Sequence, residues 1–290
     1  MRPITRLRSV RISTSAFDRS IEFYSKGFGL VLEDRNQDVA YFAGARNQSG
    51  ILELHNGSHD ALIGLTFTMA TVEDLRTSHR FLSSRGFETK SAFAGEGIGF
   101  EVADPDGNRI SFTLDDGIPD ERPTDDGRPL FLSHVVLNSP DAAKLTSFFV
   151  DVLGFKIADR YEKDLLSFLR CAQKQHHCIG ISPGPKASLN HFSVDLGGID
   201  ALMRGVGRMK KAGFEPIWGP GRHGPGGNVF CYYEDPSGFV PEFTCDVIQI
   251  DDEDKWVPKE WPRVPDIANV WGTGGPSKRA VELMSGHRGE

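Results

Sequence analysis

The chain reads as two copies of one pattern. Ser9-Val10-Arg11-Ile12-Ser13 corresponds to His134-Val135-Val136-Leu137-Asn138, an offset of 125. Phe23-Tyr24, Gly29-Leu30 and Asp34-Arg35 return at that offset as Phe148-Phe149, Gly154-Phe155 and Asp159-Arg160. Arg85-Gly86-Phe87-Glu88 returns as Ala212-Gly213-Phe214-Glu215 at 127, and Ala103-Asp104-Pro105-Asp106-Gly107 as Glu234-Asp235-Pro236-Ser237-Gly238 at 131. A slowly growing offset is what duplication followed by small loop insertions leaves behind.

Each half divides again. Alternation such as Val10/Ile12 and Val135/Leu137 predicts strands. Amphipathic runs predict helices over 16–24, 72–85, 142–150 and 199–212, with Ser139-Pro140-Asp141 as a helix entry. The pattern is α+β, βαβββ four times, at about 5–55, 60–115, 130–182 and 187–245. The expected organisation is an N-terminal domain over 1–118, a second over 130–250 and an extended tail over 251–290. The Asp, Pro, Gly and Arg of Pro119–Pro129 form the linker. The tail carries Trp256, Trp261 and Trp271, is expected to wrap the body, and is expected to be mobile over its last dozen or so residues.

Composition removes several function classes. A net charge of -7 lacks the basic face that nucleic-acid binding needs, so no nucleic-acid partner is expected. No apolar run is long enough to span a membrane, and the N-terminus lacks the apolar core of a secretory signal. A cytoplasmic protein is expected. Cys171, Cys178, Cys231 and Cys245 form no CxxC pair and read as packing residues in a reducing compartment. Gly219-Pro220-Gly221-Arg222-His223-Gly224 matches GxGxxG, but a β-like run follows where a dinucleotide site needs a helix.

The chemistry concentrates in the second half, where five of the nine histidines fall between His134 and His223. His134 lies in the first strand of module three, and His191 in the first strand of module four. Glu242 lies in the last strand of module four, between Val240-Pro241 and Phe243-Thr244. A carboxylate in so apolar a strand needs a metal or a cationic partner. Two imidazoles and one carboxylate on one concave face match the facial triad of non-haem Fe(II) oxygenases. The repeat supplies a control, because its offsets place Ser9, Gly64 and Ser111 at the three equivalent positions. One copy carries a ligand set and the other does not.

On these motifs the chain resembles the type I extradiol, ring-cleaving catechol dioxygenases of the vicinal oxygen chelate superfamily. The likeness covers about 1–250, with sharp motifs in 130–245. It implies four βαβββ modules in two barrel-like halves, the first non-catalytic, and His134, His191 and Glu242 as metal ligands. It also implies His177 as an active-site histidine that assists dioxygen and proton transfer, and His223 and Tyr232 as groups that meet the substrate. Neighbouring His176 is expected on the opposite face of a strand, with a structural role. The implied cofactor is Fe(II), with Mn(II) accepted by the same ligands. The implied partners are a small catecholic substrate and O2, with a homo-oligomer expected.

Val136, two residues beyond His134 on the same face, is expected to line the substrate channel, its apolar side chain suiting a hydrophobic ring substituent. Trp218 and the tail tryptophans are expected mainly to pack. Another metal-dependent enzyme of the superfamily and a metal-free small-molecule binder are the competing readings. The first gives no joint account of His177, His223 and Tyr232, and the second has no use for Glu242.

Overall fold

The structure, a computed structural model, describes residues 1–46, 49–93, 98–117 and 122–286. The expected linker therefore lies partly outside the described residues.

Module one comprises β1 (Arg6–Thr14), α1 (Phe17–Glu22), β2 (Val31–Arg35), β3 (Val39–Ala43) and β4 (Leu52–Asn56). Module two comprises β5 (Ala61–Met69), α2 (Val72–Ser84), β6 (Thr89–Ala92), β7 (Gly99–Ala103) and β8 (Arg109–Leu114). Module three comprises β9 (Phe131–Ser139), α3 (Ala142–Ser147), β10 (Lys156–Tyr161), β11 (Ser167–Arg170) and β12 (Ile179–Pro183). Module four comprises β13 (Ser188–Asp195), α4 (Ile199–Lys211), β14 (Trp218–Arg222), β15 (Val229–Tyr232) and β16 (Pro241–Cys245). The α+β pattern of four βαβββ modules is what the repeat predicts.

The duplication extends to strand order and to irregularities. One sheet runs β2-β3-β4-β1-β5-β8-β7-β6. The other runs β14-β15-β16-β13-β9-β12-β11-β10, the same order read from the opposite end. α1 and α3 both widen into π-helical turns, over Phe23–Phe28 and Phe148–Val152. Each is closed by an i→i−5 bond, Gly29 N to Tyr24 O at 2.9 Å and Leu153 N to Phe148 O at 3.1 Å. The two Asp-Pro turns are built alike: Asp104 Oδ1 accepts from Asp106 N and Asn108 N, and Asp235 Oδ1 from Ser237 N and Phe239 N.

The halves exchange aromatic side chains across one continuous core. From module one, Phe28 stacks on Phe243 at 4.3 Å and the Tyr24 hydroxyl donates to Asp235 Oδ2 at 2.7 Å. From module three, Phe149 and Phe155 meet Phe67 of module two. Rings of this size dominate core energetics, so the two sheets are packed onto one shared core.

The tail is more ordered than expected. β17 (Lys259–Trp261) adds parallel to β10 and extends the second sheet to nine strands. α5 (Pro265–Ala268) and α6 (Lys278–Met284) follow. Ser277 caps α6 by accepting from Ala280 N, while Ala280 and Leu283 are buried. Leu283 packs with Phe230, Tyr232 and Val240. The expected mobile end is thus corrected through residue 286, because α6 has an apolar face and a groove to fill; residues 287–290 lie outside the described residues. Among the described residues no helix is long and apolar enough to cross a membrane.

Candidate metal centre

β9 is buried along its whole length because it has work on both faces. Val135 and Leu137 face the core, while His134 and Val136 face a cavity of about 370 Å³. In the antiparallel register, His134 is opposite Ser193 and Val136 opposite His191. Ser193 is in turn opposite Glu242, and Glu242 opposite Tyr232. Four neighbouring strands thereby bring two imidazoles, a carboxylate and a phenol to one spot.

Donor atoms of His134, His191 and Glu242 all lie within 4.8 Å of one another. His134 Nε2 is 2.9 Å and His191 Nε2 3.6 Å from Glu242 Oε2. Glu242 is fully buried, yet among the described residues neither carboxylate oxygen has a hydrogen-bond partner, since the short approach of His134 lacks hydrogen-bond geometry. Burial drives the Glu242 carboxyl pKa up; the surrounding imidazoles, His134 foremost, override it and draw the value down to about 2. Burial pushes His191 down to about 3 against the pull of Glu242, and also lowers His177 and His223. A neutral His191 imidazole facing an ionised Glu242 carboxylate is the protonation state that a divalent cation requires.

Outer contacts fix which nitrogen of each ring is free. His191 Nδ1 donates to Asn190 Oδ1 at 2.7 Å, leaving Nε2 as a lone pair. The Ser133 hydroxyl donates to Gln175 Oε1 and so accepts from His134 Nδ1 at 3.2 Å, with the same result. Such second contacts orient ligands and raise their basicity. With two orphaned buried oxygens and two oriented nitrogens, the donor set fits a divalent metal.

Around it, His177 lines the cavity, its ring 4.5 Å from that of His134. His223 Nδ1 donates to Ala268 O at 2.7 Å, so its Nε2 accepts from the Tyr232 hydroxyl at 2.9 Å. Burial, then the charge of Glu242, pushes the Tyr232 phenol well up and keeps it protonated. Tyr233 faces the core against Phe243. β14 and β15 pair as a hairpin, so no helix follows the glycine run.

All seven singled-out residues, His134, Val136, His177, His191, His223, Tyr232 and Glu242, gather here. The expectation for His176 is corrected. It lies with His177 in the turn between β11 and β12 rather than on a strand, and its Nδ1 is 3.0 Å from His177 Nδ1. Trp218 does more than pack, lying parallel to Tyr232 at 5.2 Å in the cavity wall. The tail supplies Arg263, Val264, Val281 and Met284 to the same wall. Asn190 was not singled out from the sequence, since a lone asparagine carries no periodic signal; the tail was expected to wrap the body, without Arg263, Val264, Val281 or Met284 being assigned to the cavity.

The first half shows what the site becomes without ligands. Ser9 is opposite Thr66, Thr66 opposite Ser111, and Ser111 opposite Glu101. Arg11, in the place of Val136, reaches Ser111 Oγ at 2.9 Å and Glu101 Oε2 at 3.4 Å. Glu101 occupies the place of Tyr232, so an ion pair fills the space. A Cβ on Gly64 would lie 2.2 Å from Arg109 O and 2.7 Å from Arg11 Nη2.

A family model described as Glyoxalase/Bleomycin resistance protein/Dioxygenase superfamily matches residues 6–112 and 131–243. Metapyrocatechase 2 of Cupriavidus necator is 30% identical over 145 residues, covering 50% of this chain. There the chain spans about half the relative's length, 45%. An iron-dependent extradiol dioxygenase of Rhodococcus jostii (strain RHA1) is 25% identical over 297 residues, covering 93% of this chain and 96% of its own. The solved structure of a Mn(II)-bound glyoxalase from Novosphingobium aromaticivorans superposes with a TM-score of 0.85 at 29% identity, covering 97% and 94%.

Proposed function

The chain belongs to the Glyoxalase/Bleomycin resistance protein/Dioxygenase superfamily, and from that premise we propose that it is an extradiol dioxygenase that opens catecholic rings beside the diol. The observation that carries the reading is the fully buried Glu242 with two unpaired oxygens, facing His134 and His191 at the floor of a cavity that also holds His177, His223 and Tyr232. A divalent iron or manganese bound by the three residues would supply the electron transfer that couples the diol to dioxygen. Both metals suit the donors, and both occur among the similar proteins.

The chain's own residues supply the rest. Tyr232 is a protonated phenol beside the centre; its one proton goes to His223 Nε2, so its oxygen is positioned to accept from a diol hydroxyl. His223 holds that phenol through Nε2 and is held by the tail through Nδ1. His177 faces the same space from the opposite side and is the candidate proton carrier for the oxygen-derived atoms. Val136, Trp218, Val264 and Met284 give the cavity apolar walls that exclude water and suit an uncharged ring substituent.

The test is anaerobic loading with Fe(II) or Mn(II), addition of catechol, 3-methylcatechol and 2,3-dihydroxybiphenyl, then oxygen. Appearance of yellow ring-fission product, absent in Glu242→Ala, is the expected result. One metal bound per chain with no colour, but isomerisation of a glutathione hemithioacetal, would favour the glyoxalase reading suggested by the Novosphingobium structure. No metal bound would overturn both.

A further inference from the structure

Behind His177, on the side away from the cavity, stands a second buried array. His176 Nδ1 and His177 Nδ1 are 3.0 Å apart, so one carries the proton and the other accepts it. His176 Nε2 is 3.1 Å from Asp159 Oδ2, and both residues are buried. The N–H line there is off-axis, but His176 Nε2 has no other partner among the described residues. An unpaired buried N–H is costly, so the carboxylate is where that proton points. Asp159 is itself fixed, since Oδ1 accepts from Lys259 N at 2.8 Å and Oδ2 from Trp261 Nε1 at 2.7 Å. His176 N also donates to Ile248 O at 2.7 Å, and the Trp256 ring meets its face.

We infer that Asp159 and His176 are positioning residues that set the tautomer and orientation of His177. The chain of assignments runs in one direction. Asp159, an acceptor only, keeps the proton of His176 on Nε2. His176 Nδ1 is then a lone pair and accepts from His177 Nδ1–H. The remaining nitrogen of His177, Nε2, is left unprotonated. A neutral imidazole without such a partner divides its proton between two nitrogens, so the array makes one form dominant. The tail takes part, because the carboxylate that begins the chain is held by the first and third residues of β17. The catalytic meaning of this arrangement rests on the role proposed for His177; the tautomer itself does not.

The test uses long-range 1H–15N spectra of the full-length chain, with and without Zn(II) as a diamagnetic probe, and His177 assigned by loss of its signals in His177→Gln. Wild type should show the Nδ1–H form. Asp159→Asn keeps the size and, with its oxygen retained by Lys259 N, turns an amide N–H toward Trp261 and His176 Nε2. That forces the His176 proton onto Nδ1 and should invert His177 to the Nε2–H form. His176→Leu, which removes the acceptor without touching Asp159, should also shift His177 away from Nδ1–H, and covers the case in which Asp159→Asn does not fold. Trp261→Phe leaves the acceptor and should leave the tautomer unchanged. With Fe(II) and catechol, Asp159→Asn should lower kcat by about 100-fold with KM within about twofold.

An Nε2–H form in wild type, or an unchanged Nδ1–H form in both Asp159→Asn and His176→Leu, would overturn the inference. Absence of ring cleavage by wild type would instead count against the proposed function, while the spectra still decide the tautomer.

Discussion

At the scale of single residues, the centre is a balance between burial and pairing. Glu242 has lost water from both oxygens and, among the described residues, has gained no hydrogen bond in exchange. Replacing it by Ala should abolish stoichiometric binding of Fe(II) or Mn(II), read by metal analysis after desalting. Asn190 Oδ1 accepts from the outer nitrogen of His191, while its Nδ2 donates to Asn138 Oδ1. Asn190→Ala should weaken metal affinity by about 10- to 100-fold, because His191 loses its preferred tautomer and orientation; titration against a metal indicator measures it. Val136→Asn should change the ranking of catechols by kcat/KM, and an unchanged ranking would remove Val136 from the substrate wall. His134, His191 and Glu242 were legible in the sequence because the first half offers Ser9, Gly64 and Ser111 at the same strand positions. The His176–Asp159 contact was not, since it joins a turn to a strand through a fold the sequence does not spell out.

At the scale of elements, the four helices were readable from their 3.6-residue periodicity, and each begins within one residue of its expected start. β17 and α5 are three and four residues long and owe their form to what they dock against, so no local pattern marks them. Their docking has a pH signature. Burial raises the Asp159 carboxyl, but nearby His176 and the hydrogen bonds from Lys259 N and Trp261 override it and leave it below its ordinary value of 3.8. A depressed carboxyl stabilises the fold fully above its unfolded value and loses that contribution as pH falls through the folded one. The tail should therefore detach below about pH 3.8, in acid that protonates Asp159. Protection against hydrogen exchange at residues 256–263, relative to the intrinsic rate at each pH from 6 downward, should fall there, and Asp159→Asn should show the lower protection already at neutral pH.

At the scale of the whole molecule, two sheets of equal construction divide the labour. The first presents Phe67 and Phe28 to the second and holds an ion pair where the second holds ligands. Arg11→Met should cost about 1 kcal/mol or less, because Glu101 keeps Ser111 Oγ at 3.1 Å and Arg109 at 3.9 Å. Urea unfolding would measure that loss, and ring cleavage should be unaffected because Arg11 lies in the other sheet. The duplication made this whole-molecule plan visible from residue text alone, whereas the aromatic exchange between halves needed three dimensions.

The crowding at Gly64 bears on ancestry. Strand β8 has closed to within 2.2 Å of where a side chain would start, and the Arg11 guanidinium stands in the same space. Restoring a histidine there would demand movement of main chain as well as removal of the arginine, with each change harmful before the other is made. If the duplicated ancestor bound metal in both halves, the first copy has passed a ratchet: single substitutions led away from the centre, and no single substitution leads back.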